Sequence, residues 1–462
     1  MLLIFDVLKF FFTHIVAEDS IMNKSKILDL VGIGFGPAGI SLAAAVHEHS
    51  EKTGVELANR VAFFERATTA GWQTGLLFRN ADIQHHYLRD LATPRDPRSR
   101  FTFANFLKEK NRIFEFGSLV YGGGGGAVSR IEWSEYVAWA ADLLSQYVTY
   151  DCAVKGIEMG SANGEDLVIV HTAQGEVLTR AVVFCAGQEP DYPQPFVEHL
   201  GPRVFHATQF LNNMTKIPND RNIRFCIVGA GQAAIEIINY LHATYPSAQI
   251  TGVQRSLGFH HGNHSPFIQR MFHPKESDQF YALDPDARRA VLNEAARANY
   301  AAVDREAVSA LYRTLYEDRL LQTERVRFLT ATQVIGVEHK ADGVYSLETQ
   351  SRLTDETNTV DADIVVLATG FIDHSLPSLL EPLRNSILTD KFDQPVVNYD
   401  FSLVGISERF PPIFVSGDAE PSHGLGASNS FSMIAIKAER VVKALDDRGI
   451  LAQPSIPRMG VA

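Results

Sequence analysis

Four residues near the start of the sequence, Gly34, Gly36, Gly39 and Glu65, have the types and spacing to hold a phosphate-bearing ligand. The glycines lie in ILDLVGIGFGPAGISLAAAVHE, between an apolar run and an alanine-rich one, and Glu65 closes RVAFFE. In a dinucleotide cradle the first glycine permits a tight turn, and the second lets the backbone approach a pyrophosphate. The third lets helix and strand pack closely, and an acid ending the next strand binds ribose hydroxyls. The gap to Glu65 is somewhat long, but all four parts stand in order. That chemistry requires a strand over 27–33, a turn through the glycines and a helix over 38–48.

The same constellation recurs in RFCIVGAGQAAIEIINYLHATYPSAQITGVQRS. Gly229, Gly231 and Gln232 stand between a strand over 224–228 and a helix opened by Ala233 and Ala234. A second strand over 249–253 ends in Gln254, Arg255 and Ser256, with no acid. An acid there would repel a 2′-phosphate and an arginine can pair with it, so the second site is expected to take NADPH rather than NADH. Two dinucleotide sites in one chain point to hydride passing from NADPH to FAD.

The elements around them set the organisation. AVVFCAGQEP (181–190) and ADIVVLATGF (362–371) are apolar strands ending in small-residue turns at the exits from the two units. The fold expected is α/β, with two Rossmann-like dinucleotide-binding domains and a small substrate-binding region. The second unit is inserted in the first: FAD-binding residues 22–215 and 362–462, NADPH-binding residues 216–361, with substrate-pocket segments near 259–300. IFVSGDAEPSHGLGASNSFSMIAIKAERVVKAL returns to close the first domain. GGGGG at 122–126 reads as a floppy surface loop.

At 462 residues, 45% hydrophobic and 21% charged, the chain has an ordinary globular composition and room for more than one core. A formal charge of −12 gives no footprint for nucleic acid or an anionic membrane. Cys152, Cys185 and Cys226 have neither CxxC nor ligand spacing, against a redox dithiol, a disulfide framework or a zinc site. They suit a reducing cytoplasm. His260, His261 and His264 crowd one segment too irregularly for a metal. Residues 1–21 read as an N-terminal extension, too short and too interrupted to span a bilayer; a membrane-surface helix is the alternative.

Over Leu28 to Val442 the sequence resembles the N-hydroxylating flavin monooxygenases of siderophore biosynthesis, the ornithine and lysine N-monooxygenases. The likeness is carried by GIGFGPAGISLA, by Trp72 and Gly75, and by IQHHYLRDLATPRDPRSRFTFANFL. It continues through SRIEWSEYVAWAA, VFHATQFL, VGAGQAAIE, SPFIQRMF, ANYAAV, LATGF and SHGL. VFHATQFL lacks the glycine that sulfide- and ketone-oxidising flavoenzymes carry there. The resemblance implies that NADPH reduces FAD, oxygen forms a flavin hydroperoxide, and a neutral primary amine takes the distal oxygen to give a hydroxylamine. The partners it implies are a small-molecule amine and O2, in a homo-oligomer, dimer or tetramer, with no nucleic acid and no integral membrane segment.

Carried over residue by residue, the resemblance places Gly34, Gly36, Gly39 and Glu65 on FAD, with Trp72 and Gln84 near the flavin ring. It places Gly229, Gly231, Gln232 and Arg255 on NADPH, and Gln84 and Asn299 in catalytic positions. Arg89, Gln269 and Asn299 stand at the amino-acid pocket. Arg89 replaces a usual lysine, Gln269 a usual asparagine and Arg270 a usual glutamate, and the Gly426–Ser430 loop looks about one residue longer. An arginine still pairs with a carboxylate, so an amino acid is expected over a diamine, with ornithine and lysine first. The alternatives are another amino acid or amine, with Arg270 facing the pocket, and an NADPH oxidase or reductase that does not oxygenate an amine. In a further alternative Arg89 pairs with Asp90 or Asp96.

Overall fold

The computed structural model describes residues 26–122, 128–219, 221–263, 265–372, 376–405, 411–417, 419–428 and 430–452. The N-terminal extension, most of the glycine run and His264 lie outside the described residues. Strands β1 (Leu30–Ile33), β2 (Val61–Phe64), β3 (Val148–Thr149) and β4 (Val182–Phe184) build a first sheet. The chain crosses through β5 (Glu189–Pro190) to β6 (Val204–His206), β7 (Arg224–Val228), β8 (Gln249–Val253), β9 (Val326–Leu329) and β10 (Ile364–Leu367). It returns through β11 (Phe371–Ile372) and completes the first sheet with β12 (Ile413–Val415).

Both sheets are parallel and five-stranded, in the orders β12-β4-β1-β2-β3 and β9-β8-β7-β10-β6. Helices cover their faces, so the central strands are apolar throughout: β1, β4, β10 and β12 are buried at every position. Each sheet carries an antiparallel three-stranded meander, over residues 154–179 and 332–362. This is the doubly wound α/β arrangement expected, twice over.

The domain crossings lie outside the positions expected from sequence. β6 and β10 both belong to the second sheet, because β10 pairs with β7 and β6 pairs with β10. A division near 215/216 and 361/362 would cut β10, and β6 with it, away from β7. The linkers β5 and β11 pair with each other antiparallel, forming a two-stranded hinge between the units. His206 pins that hinge, with Nε2 at 2.9 Å from the carbonyl oxygen of Gly370 and Nδ1 at 3.0 Å from the Thr208 hydroxyl.

The last segment returns to the first unit as α4 (Ile434–Asp447), which packs on α1 (Pro37–Thr53), the helix that follows the first glycine turn. Phe431, just before α4, is buried among three rings: edge-on to Trp72 at 5.4 Å, stacked on His85 at 5.2 Å and edge-on to Trp133 at 5.2 Å. One aromatic therefore ties the C-terminal return to the 72–85 segment. Phe431→Ala should lower stability by about 3 kcal/mol or more through the cavity it leaves, read as a fall in the chemical-denaturation midpoint.

Candidate active site

The first cradle is built as its glycines require. Gly34 sits at φ +94°, and a Cβ there would lie 3.1 Å from both the Ala186 nitrogen and the Cys185 oxygen. A Cβ on Gly39 would come within 2.4 Å of the Gly34 carbonyl oxygen, so α1 passes the turn at a distance only glycine allows. Gly36 instead faces open space and caps α1 without any side-chain bond, leaving first-turn amides for an anion. Glu65 is fixed beside the turn: Oε2 accepts from the Phe35 amide at 2.7 Å and Oε1 from the Ala67 amide at 2.8 Å. An open glycine, free helix amides and an oriented carboxylate fit the adenosine diphosphate half of FAD.

The second cradle repeats the design. Gly229 stands at φ +137°, and a Cβ there would overlap the Ala368 oxygen at 2.1 Å. Gly231 faces open space and caps α3 (Gln232–Thr244), again without a side-chain bond. Arg255 is exposed just past β8, and its carbonyl accepts from Nη1 of Arg352 at 3.0 Å. Arg255 follows this strand with no acid beside it in sequence, and Arg352 reaches it from the second sheet's meander, an arrangement that fits a 2′-phosphate. The Gln232 side chain does not point free into the cradle. Nε2 donates to Glu236 at 2.9 Å and Oε1 accepts from the Asp304 amide at 2.9 Å.

Between the cradles runs the 72–89 segment. Trp72 is half-buried, its amide bonded to the Ser134 hydroxyl at 3.2 Å. Gln84 is exposed in the left-handed region at φ +57°, held there by its amide donating to Asp82 Oδ1 at 2.9 Å. His85 is pushed down to about 4, first by burial, with the Arg89 charge contributing. It is therefore a neutral wall at physiological pH.

Arg89 and Asn299 converge on one loop. Arg89 Nη1 donates to the Ser432 hydroxyl at 3.2 Å, and its guanidinium lies 5.4 Å from the centroid of Phe272. Asn299 Nδ2 lies 3.5 Å from the Ser428 hydroxyl, at the edge of hydrogen-bond range. Among the described residues Arg89 has no acidic partner. Asp90 is engaged by the amides of Ala92, Thr93 and Phe103 and by the Thr93 hydroxyl, and Asp96 turns to Arg98. Burial lowers the pKa of the Arg89 guanidinium, as expected for a part-desolvated cation short of a counter-charge. A substrate carboxylate would supply one.

Gln269 and Arg270 do not join that convergence. Gln269 Nε2 turns back to the Asn263 carbonyl at 3.1 Å. Arg270, which replaces the usual glutamate, is exposed and bonds Glu276 through Nε at 3.0 Å and Nη2 at 2.8 Å. Its charge is spent on a neighbour rather than presented to a ligand.

Several residues at the site went unread in the sequence. Ser432 and Phe431 carry no signal of their own, while Ser428 falls in the Gly426–Ser430 loop and Phe272 ends SPFIQRMF, segments that stand out in the sequence although their contacts do not. Arg130 did carry one, and Glu236 did not: an arginine in the first turn of a helix opposes the helix dipole, a misfit that asks for a reason. His423, in SHGL, is fully buried, stacked on Phe401 at 4.2 Å, and pushed down to about 3, chiefly by burial. The ordinary value is 6.5, so the unfolded chain binds more protons below it. The stability from keeping His423 neutral is complete above about pH 6.5 and is lost as pH falls toward 3. The unfolding midpoint should therefore drop on acidification more steeply in the parent than in His423→Gln, which a pH series of thermal melts checks.

The model of the L-lysine 6-monooxygenase/L-ornithine 5-monooxygenase family matches residues 26–373. An L-ornithine N(5)-monooxygenase of Burkholderia cepacia is 32% identical over 417 residues, 87% of this chain and 91% of that protein. Among solved structures, the ornithine N-hydroxylase of Kutzneria sp. 744, with reduced FAD, NADP+ and L-ornithine, aligns with a TM-score of 0.83 at 30% identity. That alignment covers 92% of this chain and 100% of the other. The L-lysine 6-monooxygenase of Pseudomonas syringae aligns with a TM-score of 0.79 at 34% identity, over 91% and 99%.

Proposed function

The chain belongs to the L-lysine 6-monooxygenase/L-ornithine 5-monooxygenase family, and from that premise we propose the role of each residue at its site. It is an FAD- and NADPH-dependent monooxygenase that N-hydroxylates the primary amine of a small amino acid, with ornithine and lysine the substrates the relatives support. The observation that carries the substrate class is the lone, part-buried Arg89 guanidinium facing the Ser428–Ser432 loop. A fixed planar cation pairs bidentately with a carboxylate and has no use for a diamine.

FAD and NADPH, when bound, supply the hydride and oxygen chemistry, and no protein nucleophile is called for. Gly36 and Gly231, with the amides after them, hold the two pyrophosphates, and Glu65 and Arg255 hold the ribose ends. Trp72 and Gln84 border the flavin ring. Arg89 takes the substrate carboxylate and Asn299 orients the chain, so the side-chain amine is held at attack distance. Phe431, Trp72, Trp133 and neutral His85 exclude water from the reacting atoms. Because Arg270 is paired with Glu276, acidic and neutral amino acids gain no attraction from it.

A panel of ornithine, lysine, putrescine, cadaverine, glutamate and norleucine, followed by a colour reaction for hydroxylamine, tests this reading. Ornithine or lysine should give the product and the diamines little. Diamines turning over as fast as the amino acids would refute the carboxylate contact. The reading also gives Arg255 a measurable task. Losing one charge-assisted contact costs on the order of 1.5–3 kcal/mol, so Arg255→Ala should raise the KM for NADPH about tenfold or more. The parent should oxidise NADPH much faster than NADH; equal rates would remove the 2′-phosphate contact.

Among the described residues no helix is long and apolar enough to cross a membrane. A cytoplasmic setting is supported by three free, buried thiols, Cys152, Cys185 and Cys226. A homo-oligomer is supported by the exposed apolar stripe of Tyr312, Tyr316 and Leu320 on the Arg305–Leu321 helix. Light scattering on the purified protein reads that state directly.

A further inference from the structure

Arg130 is the first residue of helix α2 (Arg130–Asp142), and its side chain is buried where the two dinucleotide units meet. Its fork makes four hydrogen bonds. Nη1 donates to Glu236 Oε2 at 2.7 Å and to the Leu76 carbonyl at 3.0 Å; Nη2 donates to Glu236 Oε1 at 2.8 Å and to the Asp82 carbonyl at 3.1 Å. Glu236 lies one turn into α3, the helix that starts at the second glycine cradle. Its Oε1 also accepts from Gln232, whose own oxygen holds the Asp304 amide. On the other side, the Asp82 carboxylate fixes Gln84 in its left-handed conformation.

A set of hydrogen bonds, joined through the Asp82 residue, thus runs from the first turn of the NADPH-cradle helix to the backbone amide of Gln84. The charges facing it are Arg130 against Glu236, with Asp82 and Asp304 close by. The arrangement is costly. A cation at a helix N-terminus opposes the dipole, and a buried ion pair repays its desolvation only with good geometry and further bonds. Such a pair contributes geometric specificity more readily than net stability.

We propose that Arg130 and Glu236 are positioning residues that lock the NADPH cradle against the Leu76–Gln84 segment and so set the hydride-transfer distance. The step they govern breaks one C–H bond of the dihydronicotinamide and transfers the hydrogen with both bond electrons, as hydride, to the flavin; the nicotinamide is oxidised and the flavin reduced. The inference rests on the assignment of FAD and NADPH to the two cradles. Neither residue need touch either nucleotide. Their loss should leave both cradles able to bind, but misaligned.

The test uses FAD-loaded Glu236→Gln and Arg130→Lys beside the parent. Anaerobic stopped flow gives the limiting rate of flavin reduction by NADPH, calorimetry gives the affinity for NADP+, and hydrogen exchange follows the amides of 76–84. In Glu236→Gln the limiting rate should fall about tenfold or more while the NADP+ dissociation constant stays within about threefold. Exchange over 76–84 should quicken, and FAD content should hold. Arg130→Lys keeps the charge but not the fork, so it should retain part of the rate that Glu236→Gln loses. An unchanged limiting rate in FAD-replete Glu236→Gln would overturn the proposal. So would a fall in rate, FAD content and NADP+ affinity together in both variants, the pattern of a purely structural pair. If NADPH fails to reduce the parent, the nucleotide assignment itself falls, and the two failures are distinct.

Discussion

Arg89→Ala should raise the KM for ornithine or lysine about thirtyfold or more, the loss expected when a part-buried, charge-assisted contact to a carboxylate is removed. The guanidinium is part-buried, rests on Phe272 and has no acidic neighbour among the described residues, so little else can take its place. Flavin reduction by NADPH without substrate should stay near the parent rate, because Arg89 has no part in either cradle. Arg89→Lys should recover much of the loss, since a lysine holds this position in the relatives the sequence resembles. Steady-state kinetics with the amino acid, set beside substrate-free stopped flow, separates the two effects. An Arg89→Ala enzyme with an unaltered KM would place the carboxylate elsewhere.

Gly229→Ala should cripple reduction by NADPH while leaving the protein yellow. The added methyl would sit 2.1 Å from the Ala368 carbonyl oxygen, a contact backbone cannot yield cheaply, at a φ of +137° that alanine adopts only under strain. The second turn must then open, moving α3 and its free amides away from the pyrophosphate. The first cradle lies in another sheet and keeps its FAD. A fall of about a hundredfold or more in the NADPH-driven rate is expected, comparable to the cost of an ångström's misplacement, with dithionite still reducing the flavin fully. Normal NADPH kinetics in Gly229→Ala would mean that the turn is not the cradle described.

How far this could be read from the sequence follows from how local each signal is. The two cradles were legible because a turn that forbids a Cβ leaves glycine as its trace, and Gly34, Gly39 and Gly229 each meet that condition within a few residues of their strand. The domain crossings were misplaced for the opposite reason. Val204–His206 and Ile364–Leu367 are short apolar strands whose allegiance depends on partners far along the chain. Nothing in three or four residues says which sheet they join.

The site divided the same way. Arg89 and Asn299 do approach one loop, but the serines they meet, Ser432 and Ser428, stand more than a hundred residues later. One reading of the sequence had Arg270 facing the pocket, and only the structure turns it onto Glu276. The bridge from Arg130 to Glu236 spans two units, so the sequence held only half of its sign: a cation where a helix start disfavours one.

The central claim is that NADPH oxidation is coupled to placing one atom of O2 on the substrate amine, with the other released as water. The direct measurement is the yield of hydroxylamine and of free hydrogen peroxide per NADPH oxidised, in air, with ornithine and with lysine at saturation. The account expects hydroxylamine to approach the NADPH consumed with one of these amino acids, with little peroxide. NADPH oxidation that yields peroxide alone, whichever amino acid is present, would contradict it and make the protein an oxidase.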